Sequence, residues 1–314
     1  MTRRAFVAGG TMLAAVPARD VAAQRSVMMI VPFAPGASAD SVARIISEKL
    51  GELLSRTIVV ENKPGAGGST GLIALSKSPA DGATLGVGAT GALVINPHVG
   101  EGEGKFSPLT QLSPIAKLVD IPLVVVAAKS AGIGDLKDLI ARSQATAQGL
   151  SFGTTGTNSA QHLSIELLKK ATGAKLVHVP YRGSAPVMND LIGGQIPIGS
   201  VDLTAAQAHI ASGAVVPLAV TSASRISLAP DIPTVAESGV PGFEINAWIG
   251  LLGPSGLAPE MISQISQQAK IALADEKVLA RVRDNGCVPA YVPAAEFASF
   301  LANESARMRD LVKT

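Results

Sequence analysis

A short apolar run that ends in a turn of small residues does most to restrict what this chain can fold into. Residues 27–33 are apolar and too few for a helix, so they predict a buried strand. Pro35 and Gly36 end the run, and apolar residues then recur at helical spacing from Asp40 onward. A helix N-terminus presents free N–H groups and a favourable dipole to an anion. The stretch is therefore either a candidate anion site or an ordinary β–α turn.

A second stretch repeats this design near the middle of the chain. Residues 150–153 predict a strand, and a hydroxyl-rich turn at 154–159 precedes a helix, with Asn158 or Ser159 as its N-cap. Thr90 follows a third predicted strand, and ligands of open α/β sheets bind at such strand ends. Two turns suited to anions, in separate parts of the chain, favour a binding cleft.

Predicted strands and helices alternate along the chain, which indicates an α/β fold. Extended stretches at 115–127 and 215–220 predict that the chain leaves one domain and later returns to it, which gives two lobes joined by two extended crossings. Helices are expected at 259–274, 277–285 and 293–313. The expected segments are a signal peptide at 1–23, a first domain at 24–121 continued at 222–314, and a second domain at 122–221.

The first 23 residues have the pattern of an export signal. Arg3 and Arg4 precede a short apolar stretch at 7–16, and small residues at 21–23 predict cleavage after Ala23 and a periplasmic location. Removal of this segment takes three arginines and one aspartate from 26 basic and 24 acidic residues, which leaves no formal net charge. A neutral chain with 3% aromatic residues does not suggest nucleic-acid binding.

No spacing of residues indicates a catalytic triad, a carboxylate pair or a metal cluster. The sequence therefore predicts neither an enzyme nor a cofactor or metal. A hydrolase that uses Ser38 or Thr155 is the alternative of a different class, and turnover of candidate acids would reveal it. The one cysteine, Cys287, is expected to be packed and inert.

Seven stretches along the chain resemble, in order, the Bug-type extracytoplasmic solute receptors, the substrate-binding proteins of tripartite tricarboxylate transporters. They are VPFAPG at 31–36 with Asp40, VENKPGAGG at 60–68, INP at 95–97, HVPYRGSAP at 178–186, DLIGGQ at 190–195, PTVAE at 233–237 and WIGLLGP at 248–254. The resemblance implies a type II periplasmic binding protein fold that closes on a small carboxylate. It also implies a monomer that delivers this solute to a membrane permease; the alternative is a sensor that acts on a histidine kinase.

The resemblance further implies which residues contact the carboxylate, because family members grip it between one β–α turn of each lobe. The implied contacts are Gly36, Ala37, Ser38, Asp40 and Thr90 in the first lobe and Thr154, Thr155, Gly156, Thr157, Asn158 and Asp202 in the second. For Asp40 and Asp202, an N-cap role is the alternative. Ala37, Ser38 and Ala39 stand where the family usually has glycines. The ligand therefore stays open among dicarboxylates, acidic amino acids, aromatic acids and tricarboxylic acids.

Overall fold

The structure is a computed structural model that describes residues 26–99 and 106–312. The expected signal peptide lies outside the described residues. The strands are β1 (Val27–Val31), β2 (Ile58–Asn62), β3 (Thr84–Ala89), β4 (Leu112–Ile121), β5 (Leu123–Ala128), β6 (Leu150–Thr154), β7 (Leu176–Pro180), β8 (Ile198–Asp202), β9 (Val215–Val220), β10 (Ala247–Pro254) and β11 (Val288–Pro293).

The helices alternate with these strands, as the sequence predicts. They are α1 (Ser38–Leu54), α2 (Ser69–Ser76), α3 (Pro108–Gln111), α4 (Leu136–Ala145), α5 (Ala160–Thr172), α6 (Ser184–Ile192), α7 (Leu203–Ala211), α8 (Pro259–Ala274), α9 (Glu276–Asp284) and α10 (Ala294–Val312). The last three lie where the apolar periodicity places them. No helix within the described ranges is long and apolar enough to cross a membrane.

The strands form two separate sheets. The first has six strands in the order β11-β4-β10-β3-β1-β2, and the second has five in the order β7-β6-β8-β5-β9. In the first sheet β1 runs parallel to β2 and β3, while β10 is antiparallel to β3. In the second, β6 runs parallel to β7 and β8, while β5 is antiparallel to β8. Thus β1, β2 and β3 correspond to β6, β7 and β8.

Two segments connect the sheets. β4 ends at Ile121 in the first sheet, and β5 begins at Leu123 in the second. The chain returns between β9 and β10, where the Thr221 N–H donates to the main-chain oxygen of Leu123 and the Ile245 N–H donates to the main-chain oxygen of Thr221. We call the six-stranded unit with its helices the first lobe and the five-stranded unit the second lobe.

Burial explains which strands are central. Every residue of β5 and β10 is buried, because helices cover both faces of these continuous apolar runs. In β10, the Trp248 ring packs edge-on against the rings of Phe297 and Phe300 on α10, with centroids 5.8 and 5.3 Å away. The second lobe has a separate apolar cluster on each face of its sheet.

Candidate functional site

The two turns that the sequence singles out occupy equivalent places in the two lobes. The first turn, residues 35–40, leads from β1 into α1, and the second turn, residues 154–159, leads from β6 into α5. Thr90 follows β3 and Asp202 ends β8, so these two residues also correspond. The topology therefore brings all the predicted contact residues to the carboxyl ends of two matching sets of parallel strands, where α/β sheets bind ligands.

The first turn presents free main-chain donors. Helix α1 begins at Ser38, with Ala37 in extended conformation as the N-cap residue and no side-chain cap. The N–H groups of Ser38 and Ala39 have no acceptor among the described residues. Asp40 is the third residue of the helix, so its predicted N-cap role is wrong. Gly36, at a φ of 83°, turns the chain so that the helix begins at Ser38, two residues before the predicted start at Asp40.

Asp40 braces this turn from inside. Its carboxylate accepts hydrogen bonds from the Gly36 N–H at 2.9 Å, from Arg44 Nε at 3.0 Å and from Asn62 Nδ2 at 2.8 Å. Asn62 also donates to the main-chain oxygen of Phe33. Burial alone would raise the pKa of Asp40, but the bonds from Arg44, Gly36 and Asn62 outweigh it and hold this pKa below its ordinary value. The Asp40 carboxylate therefore binds donors of the first lobe itself.

Thr90 is also committed to the protein. It is fully buried, and its Oγ1 accepts a hydrogen bond of 2.9 Å from the main-chain N–H of Trp248. The next residue, Gly91, lies against the second lobe, since a Cβ placed there would be 3.1 Å from the main-chain oxygen of Asn158. The side chain of Thr90 thus fixes the wall of the cleft, and the glycine after it allows the close approach of the second turn.

The second turn is held by its own hydroxyls. Ser159, one of the two predicted candidates, is the N-cap of α5. Its Oγ accepts from the His162 N–H at 3.1 Å and donates to Gly156 O at 2.8 Å. Gly156 and Asn158 both have positive φ angles, 140° and 60°. Thr155 and Thr157 keep main-chain N–H groups without an acceptor among the described residues.

Two stacked imidazoles support this turn from below. His178 on β7 and His162 on α5 have ring centroids 3.9 Å apart, and Phe152 stacks on His178. His178 Nε2 lies 2.6 Å from the Thr154 hydroxyl, and His162 Nδ1 accepts the Asn158 N–H at 3.2 Å. Burial, with the charge of His162 as a second cause, lowers the pKa of His178 to about 4. Burial lowers the pKa of His162 too. His162 thus makes a structural hydrogen bond within the second turn.

Asp202 joins the two lobes. Its Oδ2 accepts a hydrogen bond of 3.0 Å from the Ser38 hydroxyl of the first lobe, and Gln161 donates to Oδ1. Ser184 Oγ lies 3.3 Å from the Asp202 N–H and accepts it. Asp202 occupies the N-cap position of α7 without a side-chain capping bond. Burial raises the pKa of this carboxyl, and the bonds from Ser38 and Gln161 oppose the rise.

The lobes also touch away from the two turns. Thr204 on α7 donates to the main-chain oxygen of Asn285 at 3.0 Å, and Ala160 and Leu163 of α5 pack into the apolar core of the first lobe. Burial, with the charge of Asp202 as a second cause, raises the pKa of the neighbouring Cys287 to about 12. These contacts describe a cleft with its two lobes close together.

Sequence reasoning missed four residues that position the site: Asn62, Gln161, His178 and Ser184. Asn62 ends β2, Gln161 and Ser184 lie in the first turns of α5 and α6, and His178 is in the middle of β7, so their positions are only a weak signal. Their partners are distant in the chain, so only the paired strands and the closed lobes reveal them.

The fold and the paired turns define the class of protein. The chain has the architecture of the periplasmic binding proteins, which confirms the predicted fold. Residues 42–314 match the model of the tripartite tricarboxylate transporter family receptors, and the chain belongs to this family. The predicted resemblance to Bug-type receptors is thereby confirmed.

Named relatives support the assignment. BugT of Bordetella pertussis is 33% identical over 313 residues, which cover 98% of this chain and 94% of BugT. The structure of Rpa4515 of R. palustris with adipate has a TM-score of 0.82 at 31% identity, covering 92% of this chain and 96% of that one. MatC of Rhodopseudomonas palustris with bound malate has a TM-score of 0.80 at 27% identity, covering 92% and 99%.

Proposed function

We propose that the protein is a periplasmic receptor that captures a small carboxylate between the first and second turns and delivers it to a permease of the tripartite tricarboxylate type. The observation that carries the proposal is the pair of facing turns whose N–H groups, at Ser38 and Ala39 and at Thr155 and Thr157, lack acceptors in the described chain. The adipate and malate bound to two relatives are small carboxylates.

The geometry supports binding by dipoles. The free N–H groups at the start of α1 carry the partial positive charge of the helix dipole, and those of the second turn lie just before α5. Such donors stabilise a carboxylate without the desolvation cost of a buried cation. In this proposal Asp40 and Thr90 hold the first lobe's wall, and Thr154 and Asn158 shape the second turn.

Closure of the lobes supplies the transport signal in this proposal. We place the first lobe at 24–121 and 222–314, the second at 122–221, and a cleaved export signal at 1–23. The contacts from Ser38 to Asp202 and from Thr204 to Asn285 form only when the lobes are close. A closed, liganded monomer would then present a surface that the permease distinguishes from the open form.

A ligand screen tests the proposal. The protein, purified from the periplasm of expressing cells, is heated with each member of a panel of carboxylic acids. A binder present at about 100 times its Kd should add about 2.7 kcal/mol to the free energy of unfolding. The same compound with its carboxylate converted to an amide should give no shift. Stabilisation by uncharged or cationic solutes, with none by acids, would overturn the proposal.

Two variants at one position test the role of the N–H groups. Ser38 is the first residue of α1 and follows extended Ala37, so proline fits there without breaking the helix. Ser38→Pro removes both the N–H and the hydroxyl, while Ser38→Ala removes the hydroxyl alone. The proline variant should bind the acid roughly tenfold more weakly than the alanine variant, which is the effect of one hydrogen bond to a charged group. Equal affinities would exclude this N–H as a donor.

Delivery to a permease is tested separately from binding. The receptor, with and without its acid, is used to capture membrane proteins from its native host. Capture of a permease that depends on the acid supports the transport role. Capture of a histidine kinase instead would favour a sensor role for the same binding site.

A further inference from the structure

Asp202 places a carboxylate beside the donors that the proposed function assigns to the ligand. Its Oδ2 is 3.0 Å from the hydroxyl of Ser38, whose main-chain N–H is one of the free donors of the first turn. An acid held by the N–H groups of Ser38 and Ala39 therefore has its own negative charge close to that of Asp202. Two like charges at such short range in a partly buried site repel each other strongly.

The protein does not offset this charge. Among the described residues, the donors to the Asp202 side chain are Ser38 and Gln161, and both are uncharged. Asp40, at the other side of the same turn, shows the contrast, because Arg44 pairs with it at 3.0 Å. A negative group next to an anion site is costly unless the ligand brings a hydrogen-bond donor to it.

The Asp202 carboxylate has the capacity to accept a hydrogen bond from such a donor. Each oxygen of a carboxylate can accept about two hydrogen bonds. Gln161 fixes Oδ1 and Ser38 contacts Oδ2, so each oxygen retains an acceptor site. Gln161 lies at the start of α5, directly after the second turn, and its hydrogen bond orients the Asp202 carboxylate. Gln161 is therefore a positioning residue in this arrangement.

We infer, on the basis of the proposed function, that Asp202 is a specificity-determining residue that selects acids with a donor on the carbon next to the bound carboxylate. The favoured ligands are 2-hydroxy and 2-amino acids, whose hydroxyl or ammonium group donates to Asp202. An acid of the same length without that group leaves the two carboxylates facing each other.

Matched sets of acids test the inference by calorimetry. Each set holds a plain acid with its 2-hydroxy and 2-amino forms: propionate, lactate and alanine; succinate, malate and aspartate; glutarate, 2-hydroxyglutarate and glutamate. In the set of the correct length, one substituted acid should bind at least roughly tenfold more tightly than the plain acid, as expected for a bond to a charged acceptor. Which one binds more tightly identifies the donor as hydroxyl or ammonium.

The variant Asp202→Asn isolates the carboxylate. It keeps the shape of the side chain, and circular dichroism checks that it folds. The plain acid should bind this variant more tightly than wild type, and the preference for the substituted acid should fall by roughly tenfold. The control Asp231→Asn removes an equal charge from an exposed residue of the return segment and should leave the preference unchanged.

Three results would overturn the inference. A plain acid could bind wild type as tightly as its substituted forms while the complex takes up a proton, which would make Asp202 a protonated donor. The preference could survive unchanged in Asp202→Asn. Both results leave the proposed function intact. If wild type and variant bind none of these acids and no acid of the wider panel in the ligand screen, the proposed function is overturned together with the inference.

Discussion

The two turns resemble each other in sequence pattern but are stabilised by different chemistry. The first rests on ionised groups, with Asp40 accepting from Arg44 and Asn62. The second rests on neutral ones, with His178 beside the Thr154 hydroxyl and His162 accepting from Asn158. Corresponding turns of two similar lobes are therefore stabilised by different electrostatics, one with ionised side chains and the other with neutral ones.

The difference shows that the equivalence of the lobes is one of backbone and not of side chains. Each lobe needs a tight turn with free N–H groups at a helix N-terminus. A carboxylate that reaches back to Gly36 holds one turn, and a serine cap with two imidazoles holds the other. The turns should consequently respond differently to substitution and to acid.

The largest effect is expected from removal of Asp40. Asp40→Ala removes a buried carboxylate that is the common acceptor of the Gly36 N–H, Asn62 and Arg44. The loss of several bonds to a charged group should lower the free energy of unfolding by about 3 kcal/mol. Urea denaturation of the purified variant measures this change.

The chain contains a matched control. Asp138 on α4 also accepts from the glycine four residues before it and the arginine four residues after it, Gly134 and Arg142. This copy is more exposed and has no counterpart of Asn62 among its bonds. Asp138→Ala should cost only about 0.5–1 kcal/mol, as is usual for surface pairs. Equal losses in the two variants would contradict the bracing role of Asp40.

Mild acid should weaken the second turn before the first. The pKa of His178 is lowered to about 4 from an ordinary 6.5, so the unfolded chain binds a proton more readily than the folded one between these values. Stability that is complete above pH 6.5 should fall as the pH drops toward 4, by at most about 1.4 kcal/mol per pH unit for one proton. His162, whose pKa is also lowered, acts in the same direction.

The first turn should also lose stability in acid, but only at lower pH. The depressed pKa of Asp40 means that its contribution is present above the ordinary value of 3.8 and is lost only below it. Melting temperatures of wild type and His178→Gln at pH 7, 6, 5 and 4.5 test the comparison. The variant should show a shallower decline, with the charges of His162, Glu166 and Lys169 still in place. Identical slopes would remove His178 as the cause.

The smallest effect is expected at the contact between the lobes. Ser38→Ala deletes the hydrogen bond to Asp202 and should favour the open form of the unliganded protein by about 1 kcal/mol. Small-angle X-ray scattering without ligand should then give a larger radius of gyration. Ser41→Ala, on the next turn of the same helix, is the control. An unchanged radius in Ser38→Ala would show that this bond does not set closure.

Most of the architecture could be predicted from local patterns. The strand–turn–helix units around the two turns, the three terminal helices and the Ser159 cap all follow from apolar spacing and from residues with strong positional preferences. The extended stretches at 115–127 and 215–220 predict the two lobes. The resemblance to Bug-type receptors then specifies the periplasmic binding protein fold, because seven short motifs in order are far more specific than any one of them.

The contacts within the site could not be predicted in the same way. His178 meets Thr154 only because β7 pairs with β6 in the register that sets it opposite Phe152, and Gln161 meets Asp202 across two elements. Strand β11 went unpredicted because prolines at 289 and 293 interrupt the apolar pattern, although pairing with β4 stabilises it. The helix start at Ser38 depended on the conformation of Gly36, which composition does not show.

The bond from Thr90 to Trp248 has a practical consequence. Trp248 is the single tryptophan of the sequence, and it is buried one residue beyond the start of the strand that the chain enters on its return crossing. Its main-chain N–H donates to Thr90 in the cleft wall, and its ring packs against Phe297 on α10. Movement of the crossing or the wall should therefore change the fluorescence of this single tryptophan, so lobe motion can be followed in real time without a label.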